Sequence, residues 1–204
     1  MNRFTSLKTG PRTRTPIPIL ALGGEQKGHF CLLREGTALI SPDFGDLSRV
    51  DNFTAYRSTL IDACRRENFR PGLIVHDLHP AYSTTRLAGI LAREDFSGAA
   101  SLGTPHPHAH IGSVLAEKGS KSPVLGIAWD GTGYFPEGII GGGEFLEAGL
   151  DCCRTLVRPR PVPMPGGDRA VRDPWRMTLA YLSTFMGDDC LNLPLDFCRK
   201  LKDE

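Results

Sequence analysis

Val124-Leu125-Gly126-Ile127-Ala128-Trp129-Asp130-Gly131-Thr132-Gly133-Tyr134 is an apolar run that ends in an acid and a glycine-rich turn, and it is the second such passage in the chain. The first is Ile17 to Leu22, which ends in Gly23-Gly24-Glu25-Gln26-Lys27-Gly28. Between the two, His29 to Arg34 and Thr37 to Ser41, parted by Glu35-Gly36, read as two further strands of an antiparallel meander. Asn52 to Asn68 carries Phe53, Tyr56, Leu60, Ile61 and Cys64 near helical spacing, and Gly72 to Asp77 reads as a buried strand. Pro80 to Arg93 follows as a helix with proline at its start, Gly98 to Leu102 as a strand, and Ile111 to Lys118 as a helix. At Val124 the order begins again, with Gly138 to Ala148 as a glycine-rich strand of the same hairpin kind.

A three-strand meander with strand and helix crossovers, then restarted, predicts an α/β fold of the actin-like ATPase type (ASKHA, ribonuclease H-like). The expected division is a flexible tail or linker over 1–18, a first lobe over 19–122 and an incomplete second lobe over 123–204, so that the chain reads as a piece of something longer. Its 204 residues suffice for one large domain or two small lobes. A net charge of +1 provides no bulk field to draw nucleic acid or an anionic membrane, and no run approaches a membrane span. The six cysteines form no C-x-x-C pair, which favours reduced thiols and a cytoplasmic location.

Half of the six histidines fall in His106-Pro107-His108-Ala109-His110. At i and i+4 in the first turn of a helix, His106 and His110 share a face, and two imidazoles from one rigid element suit a divalent metal, zinc or iron. Asp130 is the natural third ligand. His108 lies on another face and reads as a supporting or substrate-facing group. In Asp130-Gly131-Thr132-Gly133 the acid precedes glycines whose N–H groups can approach a phosphate, and Gly23, Gly24 and Lys27 offer a second contact of that kind. His76-Asp77-Leu78-His79-Pro80 ends a buried strand, where open α/β sheets bind ligands, and nominates His79 beside Asp130 for catalysis; a helix cap by Asp77 or His79 is the plainer role. Arg158, Arg160, Arg169, Arg172 and Arg176 form a basic stretch suited to an anion or to simple solvation.

From about Ile19 to Leu182 the chain resembles the HypF family, the carbamoyltransferases of nickel-iron hydrogenase maturation, in the domain they share with the tRNA threonylcarbamoyl-transfer enzymes. The resemblance is carried by Leu20 to Lys27, Phe44 to Leu47, His76 to Pro80, His106 to Ile111, Ala128 to Tyr134, Gly142 to Phe145 and Met164 to Met177. It implies transfer of a carbamoyl group from carbamoyl-adenylate, made from carbamoyl phosphate and ATP, to the C-terminal cysteine of a HypE-type partner, as a precursor of cyanide on iron. It also implies that His106, His110 and Asp130 bind the metal and that Gly131-Thr132-Gly133 holds the nucleotide phosphate. The chain departs from the family pattern at Gly28, where asparagine is usual, and at Ala81, where aspartate is usual. The domains that make carbamoyl-adenylate have no counterpart before Ile19, so the expectation is an inactive fragment unless complemented, prone to self-association through an uncovered face. Outside this reading stand a binding or split-enzyme module of the same fold, docking on a maturation partner, and an unrelated actin-like kinase or phosphatase.

Overall fold

The structure is a computed structural model that describes residues 4–8, 15–120, 122–131, 133–135, 138–167 and 169–198. The chain packs as two units, Met1–Arg158 and Pro159–Glu204.

The meander forms as its alternation predicts. Strands β2 (Ile19–Leu22), β3 (Phe30–Arg34) and β4 (Thr37–Ile40) pair antiparallel, with Leu20, Leu22, Phe30 and Leu32 turned inward. Strands β5 (Leu73–Asp77) and β6 (Ala100–Thr104) then add in parallel beyond β2, each delivered by a helix. The strand order β1-β4-β3-β2-β5-β6 is that of the expected actin-like lobe, extended by one edge strand. That edge is β1 (Thr5–Lys8), within the stretch read as a tail: it pairs with β4 although all four side chains are exposed. Pairing there satisfies backbone groups of β4 and leaves no buried side chain, so hydropathy carried no trace of it.

Helix α1 (Val50–Arg66) buries Tyr56, Leu60, Ala63 and Cys64, a single face at i, i+4, i+7 and i+8, against the sheet. The ring of Tyr56 stands edge-on to Phe30 at 5.5 Å, and its hydroxyl donates to the His29 carbonyl, so the aromatic is buried with its polar end satisfied. Helix α2 (Ser83–Arg93) starts three residues later than the proline signal predicts. The Tyr82 N–H is held by the His79 carbonyl in a turn, and the Glu25 carboxylate receives both the N–H and the hydroxyl of Ser83 at 2.7 Å each, which fixes the first turn of the helix there.

Helix α3 (His106–Lys118) packs on the second sheet, whose order is β11-β10-β7, all antiparallel: β7 (Val124–Ala128), β10 (Glu144–Ala148) and β11 (Cys153–Val157). The passage expected as one strand from Gly138 is broken. Its first part, β9 (Ile140–Gly141), pairs with β8 (Gly133–Tyr134) as a separate hairpin, and β10 starts only at Glu144. Gly143, at φ +86°, makes the break, a conformation that would strain any side chain. β11 completes the second meander and has no counterpart in the sequence reading, because Cys153-Arg154-Thr155-Leu156-Val157 shows no apolar alternation. One face of this sheet buries Ala128, Leu146 and Ala148 against Ile111 and Leu115 of α3. The other face leaves Leu125, Ile127 and Trp129 exposed, Trp129 by 82%.

In the second unit, α4 (Arg169–Arg172), α5 (Trp175–Met186) and a 3-10 helix (Gly187–Asn192) follow one another, with Trp175 packed on Phe197 and the Cys198 thiol donating to the Cys190 carbonyl. No helix among the described residues is long and apolar enough to cross a membrane.

Candidate functional site

Parallel pairing of β5 with β6 puts Asp77 opposite Thr104 at the carboxyl ends of both strands. Two residues beyond Thr104, after Pro105, α3 begins, so the chain delivers His106 directly across from Asp77. Asp77 is only 6% exposed; its Oδ2 lies 2.6 Å from His106 Nδ1, and its Oδ1 accepts the N–H of His79 at 2.8 Å. Both oxygens of a buried carboxylate are thus engaged, and a proton on His106 Nδ1 leaves Nε2 as the free ligand atom.

That free nitrogen faces Asp130, two residues past the end of β7. His106 Nε2 is 3.2 Å and His110 Nε2 3.8 Å from Asp130 Oδ2, and the three ligand atoms lie within 4.8 Å of one another. The 3.2 Å approach is an ion-pair distance without hydrogen-bond geometry: Asp130 Oδ2 is shielded from solvent and has no hydrogen-bond partner among the described residues. An acid oxygen left so, beside two imidazole nitrogens, is what a shared cation would satisfy. Metal–ligand bonds of about 2.0–2.1 Å put neighbouring ligands in a tetrahedral shell about 3.3 Å apart: His106 and Asp130 already stand at that spacing, and His110 must move inward to share the ion. The Asp77 hydrogen bond lifts the His106 pKa above the ordinary imidazole range; partial burial opposes it, and the charges of Asp77 and Asp130 add to the rise.

Two glycines let backbone reach this centre. A Cβ on Gly133 would stand 3.1 Å from Pro107, and one on Gly24 would meet the His106 ring at 3.6 Å, so both turns close on the start of α3. Their donors are partly committed already: the Gly131 N–H is bound by Asp130 Oδ1 at 2.7 Å and the Gly23 N–H by the His29 carbonyl at 2.9 Å. Lys27 is exposed at the tip of the first turn. Thr132 lies outside the described residues. Gly28 packs directly on buried Leu47, whose Cδ2 would be 2.4 Å from a Cβ at that position.

His79 does not join the three converging ligands. Its ring stacks on Tyr82 at 4.2 Å and meets Tyr134 edge-on at 5.0 Å, beside the hairpin that follows Asp130. His108 turns away to the Gly149 carbonyl at 2.8 Å, tying α3 to the β10–β11 turn. The arginines of the basic stretch each have a local neighbour or face water: Arg158 lies over Phe135, Arg160 over Phe185, and Arg176 over Trp175 and against Asp173, while Arg169 and Arg172 are exposed on α4.

Sequence reasoning left three acids unassigned or half-assigned. Asp77 reads in the sequence as a helix cap or a ligand-end residue, and only the strand register places it against His106. Glu25 had no signal, since its partner Ser83 is 58 residues away. Glu144 is fully buried, and burial pushes its carboxyl above the usual carboxylate range; backbone amides of Glu144 and Gly142 and the Arg158 charge pull it down, and Asp130 pushes it up. Its only trace was the unusual run Gly141-Gly142-Gly143-Glu144.

Comparison with known proteins gives a consistent set of likenesses. Residues 14–117 match the family model described as the HypF Kae1-like domain, and residues 126–203 match the carbamoyltransferase Kae1-like domain, second subdomain. Carbamoyltransferase HypF2 of Cupriavidus necator is 42% identical over 83% of this chain and 21% of its own length, and carbamoyltransferase HypF of Synechocystis is 33% identical over 86% and 22%. A crystal structure of full-length HypF in its phosphate- and nucleotide-bound form superposes with a TM-score of 0.76 at 31% identity, covering 83% of this chain and 22% of that one. The crystal structure of T. kodakarensis HypF gives 0.74 at 36% identity, over 84% and 23%. The chain spans about a fifth of the length of these relatives.

Proposed function

We propose, for a chain that belongs to the HypF family of carbamoyltransferases, that it supplies the metal-holding part of a carbamoyl-transfer site in nickel-iron hydrogenase maturation. The observation that carries this is the buried Asp130 Oδ2, without a hydrogen-bond partner among the described residues, at 3.2 and 3.8 Å from the Nε2 atoms of His106 and His110. Three ligands and open positions suit zinc or ferrous iron, and such an ion, when bound, neutralises phosphate charge and polarises a carbonyl. The substrate class is carbamoyl-adenylate and the acceptor is the C-terminal cysteine of a HypE-type protein. In the transfer a sulfur–carbon bond forms, the bond from the carbamoyl carbon to the adenylate phosphate oxygen breaks, AMP leaves, and the thiol proton passes to solvent.

This chain's residues have distinct parts in that scheme. Asp77 holds His106 in the tautomer that presents Nε2, and Asp130 supplies the charge that matches a dication. His79 accepts the Ala81 N–H on Nδ1, so its neutral ring carries the proton on Nε2 and acts as a donor to an adenylate oxygen. Gly24, Gly131 and Gly133 allow nucleotide phosphate to approach main chain, with Lys27 as an exposed cation at the rim. The site is that of a cytoplasmic enzyme whose other parts are supplied by further polypeptide. A second reading, a docking module for a maturation partner, is favoured by one observation, the bare Leu125, Ile127 and Trp129 face.

The test is to supply the purified, zinc-loaded chain with carbamoyl-adenylate and a HypE-type acceptor, alone and with the remaining segments of a HypF relative. The expected result is carbamoylated acceptor cysteine, seen by mass spectrometry, only in the complemented mixture and lost with Asp130→Asn. Transfer undiminished by Asp130→Asn contradicts the assignment.

A further inference from the structure

Glu144 is buried at a visible cost. It is 0% exposed, and its carboxylate oxygens have no side-chain hydrogen-bond partner among the described residues, only loosely aligned backbone amides of Glu144 and Gly142 nearby. A leucine would fill similar volume without stripping a carboxyl of water, so the acid needs another reason to be there. Its surroundings are built around it. A Cβ on Gly141 would sit 2.2 Å from Glu144 Oε1 and 2.6 Å from the Phe135 ring. One on Gly142 would sit 2.4 Å from the Asp130 carbonyl oxygen and 3.0 Å from that of Gly131. Gly143 turns at positive φ and donates its N–H to the Ala128 carbonyl at 3.1 Å. Three successive glycines therefore carry the chain from β9 into β10 directly against the backbone of Asp130 and Gly131, and the Glu144 side chain fills the slot under the first of them.

We propose that Glu144 is a positioning residue: wedged beneath Gly141, it holds this glycine crossing against the Asp130–Gly131 turn and so sets where the Asp130 carboxylate stands relative to His106 and His110. Its consequence for a cation rests on the metal reading above; its geometry does not. A side chain that contributed only to general core packing, without bearing on Gly141, would affect melting but leave the turn and the cation affinity alone.

The test uses amide hydrogen exchange of the whole metal-free chain at Gly131 and Gly143, whose N–H groups are bound by Asp130 Oδ1 and the Ala128 carbonyl, followed by titration with zinc alone. In Glu144→Ala both amides exchange about tenfold faster while those of Leu20 and Leu32 in the first sheet are unchanged; Glu144→Gln, which fills the same slot, restores both. Zinc binding weakens about tenfold in the alanine variant and stays within about threefold in the glutamine variant. Should Glu144→Ala lose protection everywhere, Gly141→Ala does the same job from the other side by evicting the carboxyl, and the same local acceleration is expected. Unchanged exchange at Gly131 and Gly143 in a folded Glu144→Ala or in Gly141→Ala overturns the proposal, as does Glu144→Gln behaving like alanine. Exchange that responds as expected in a chain that binds no zinc in any form upholds the positioning role and removes the metal reading instead.

Discussion

Asp77→Asn isolates what orients the candidate centre. The aspartate holds His106 Nδ1 at 2.6 Å and the His79 N–H at 2.8 Å from a position 6% exposed, so the replacement changes one atom in a tightly surrounded group. If the asparagine oxygen keeps the His79 bond, its NH2 faces His106 Nδ1; the imidazole must then carry its proton on Nε2, the ligand atom. If instead the oxygen faces His106, the NH2 opposes the His79 N–H. In the first case the charge-assisted bond to His106 is reversed and in the second it becomes a neutral one with the His79 bond broken; losing the carboxylate behind a metal-ligating imidazole costs about 10–100-fold in metal affinity. Zinc competition against a chromophoric chelator at neutral pH reads this directly, with circular dichroism to show an intact fold. Affinity within about twofold of the parent chain, in a folded Asp77→Asn, would refute the idea that Asp77 sets the His106 tautomer.

The histidines separate by their partners: His106→Ala and His110→Ala each abolish bound metal by elemental analysis, whereas His108→Ala retains it and lowers stability by about 1 kcal/mol through its lost bond to Gly149, and equal metal loss in all three contradicts the geometry. The pH dependence has a definite sign. His106 is raised in the folded chain, so in the metal-free protein its stabilising contribution is complete below the unfolded imidazole range and fades as pH climbs through the raised value; the melting difference between parent and His106→Gln should shrink along that rise, and zinc affinity should run the other way, failing on acidification. Gly126→Ala places a methyl 2.7 Å from Ile111 Cγ1 and should destabilise by about 1–3 kcal/mol in thermal melts, with partial recovery in the Ile111→Val background. The bare Leu125, Ile127 and Trp129 face should drive self-association, so sedimentation should show concentration-dependent mass that Ile127→Lys reduces; a strictly monomeric parent chain contradicts this.

The first sheet and its helices were legible because the strands alternate cleanly and the helices show one apolar face: Leu20, Leu22, Phe30 and Leu32, and Tyr56 through Cys64, are both pattern and core. What escaped was held by contacts far apart in sequence. β1 is fixed by an open edge, the start of α2 by Glu25, and β11 by pairing with β10, none of which leaves a periodic mark. The same division runs through the site. His106 and His110 share a helix turn, so their spacing announced them, and Asp130 stands at a strand end with a glycine turn. Asp77 and Glu144 act through register and close glycine packing, and sequence spacing cannot encode which carboxylate lies under which histidine.

The account stands most directly on the coordination of a single ion. X-ray absorption on the zinc-loaded chain should show a shell containing two imidazole nitrogens and a carboxylate oxygen at about 2.0–2.2 Å, reduced to one imidazole in His110→Ala. A shell without imidazole scattering, or one unaltered by that substitution, would contradict it.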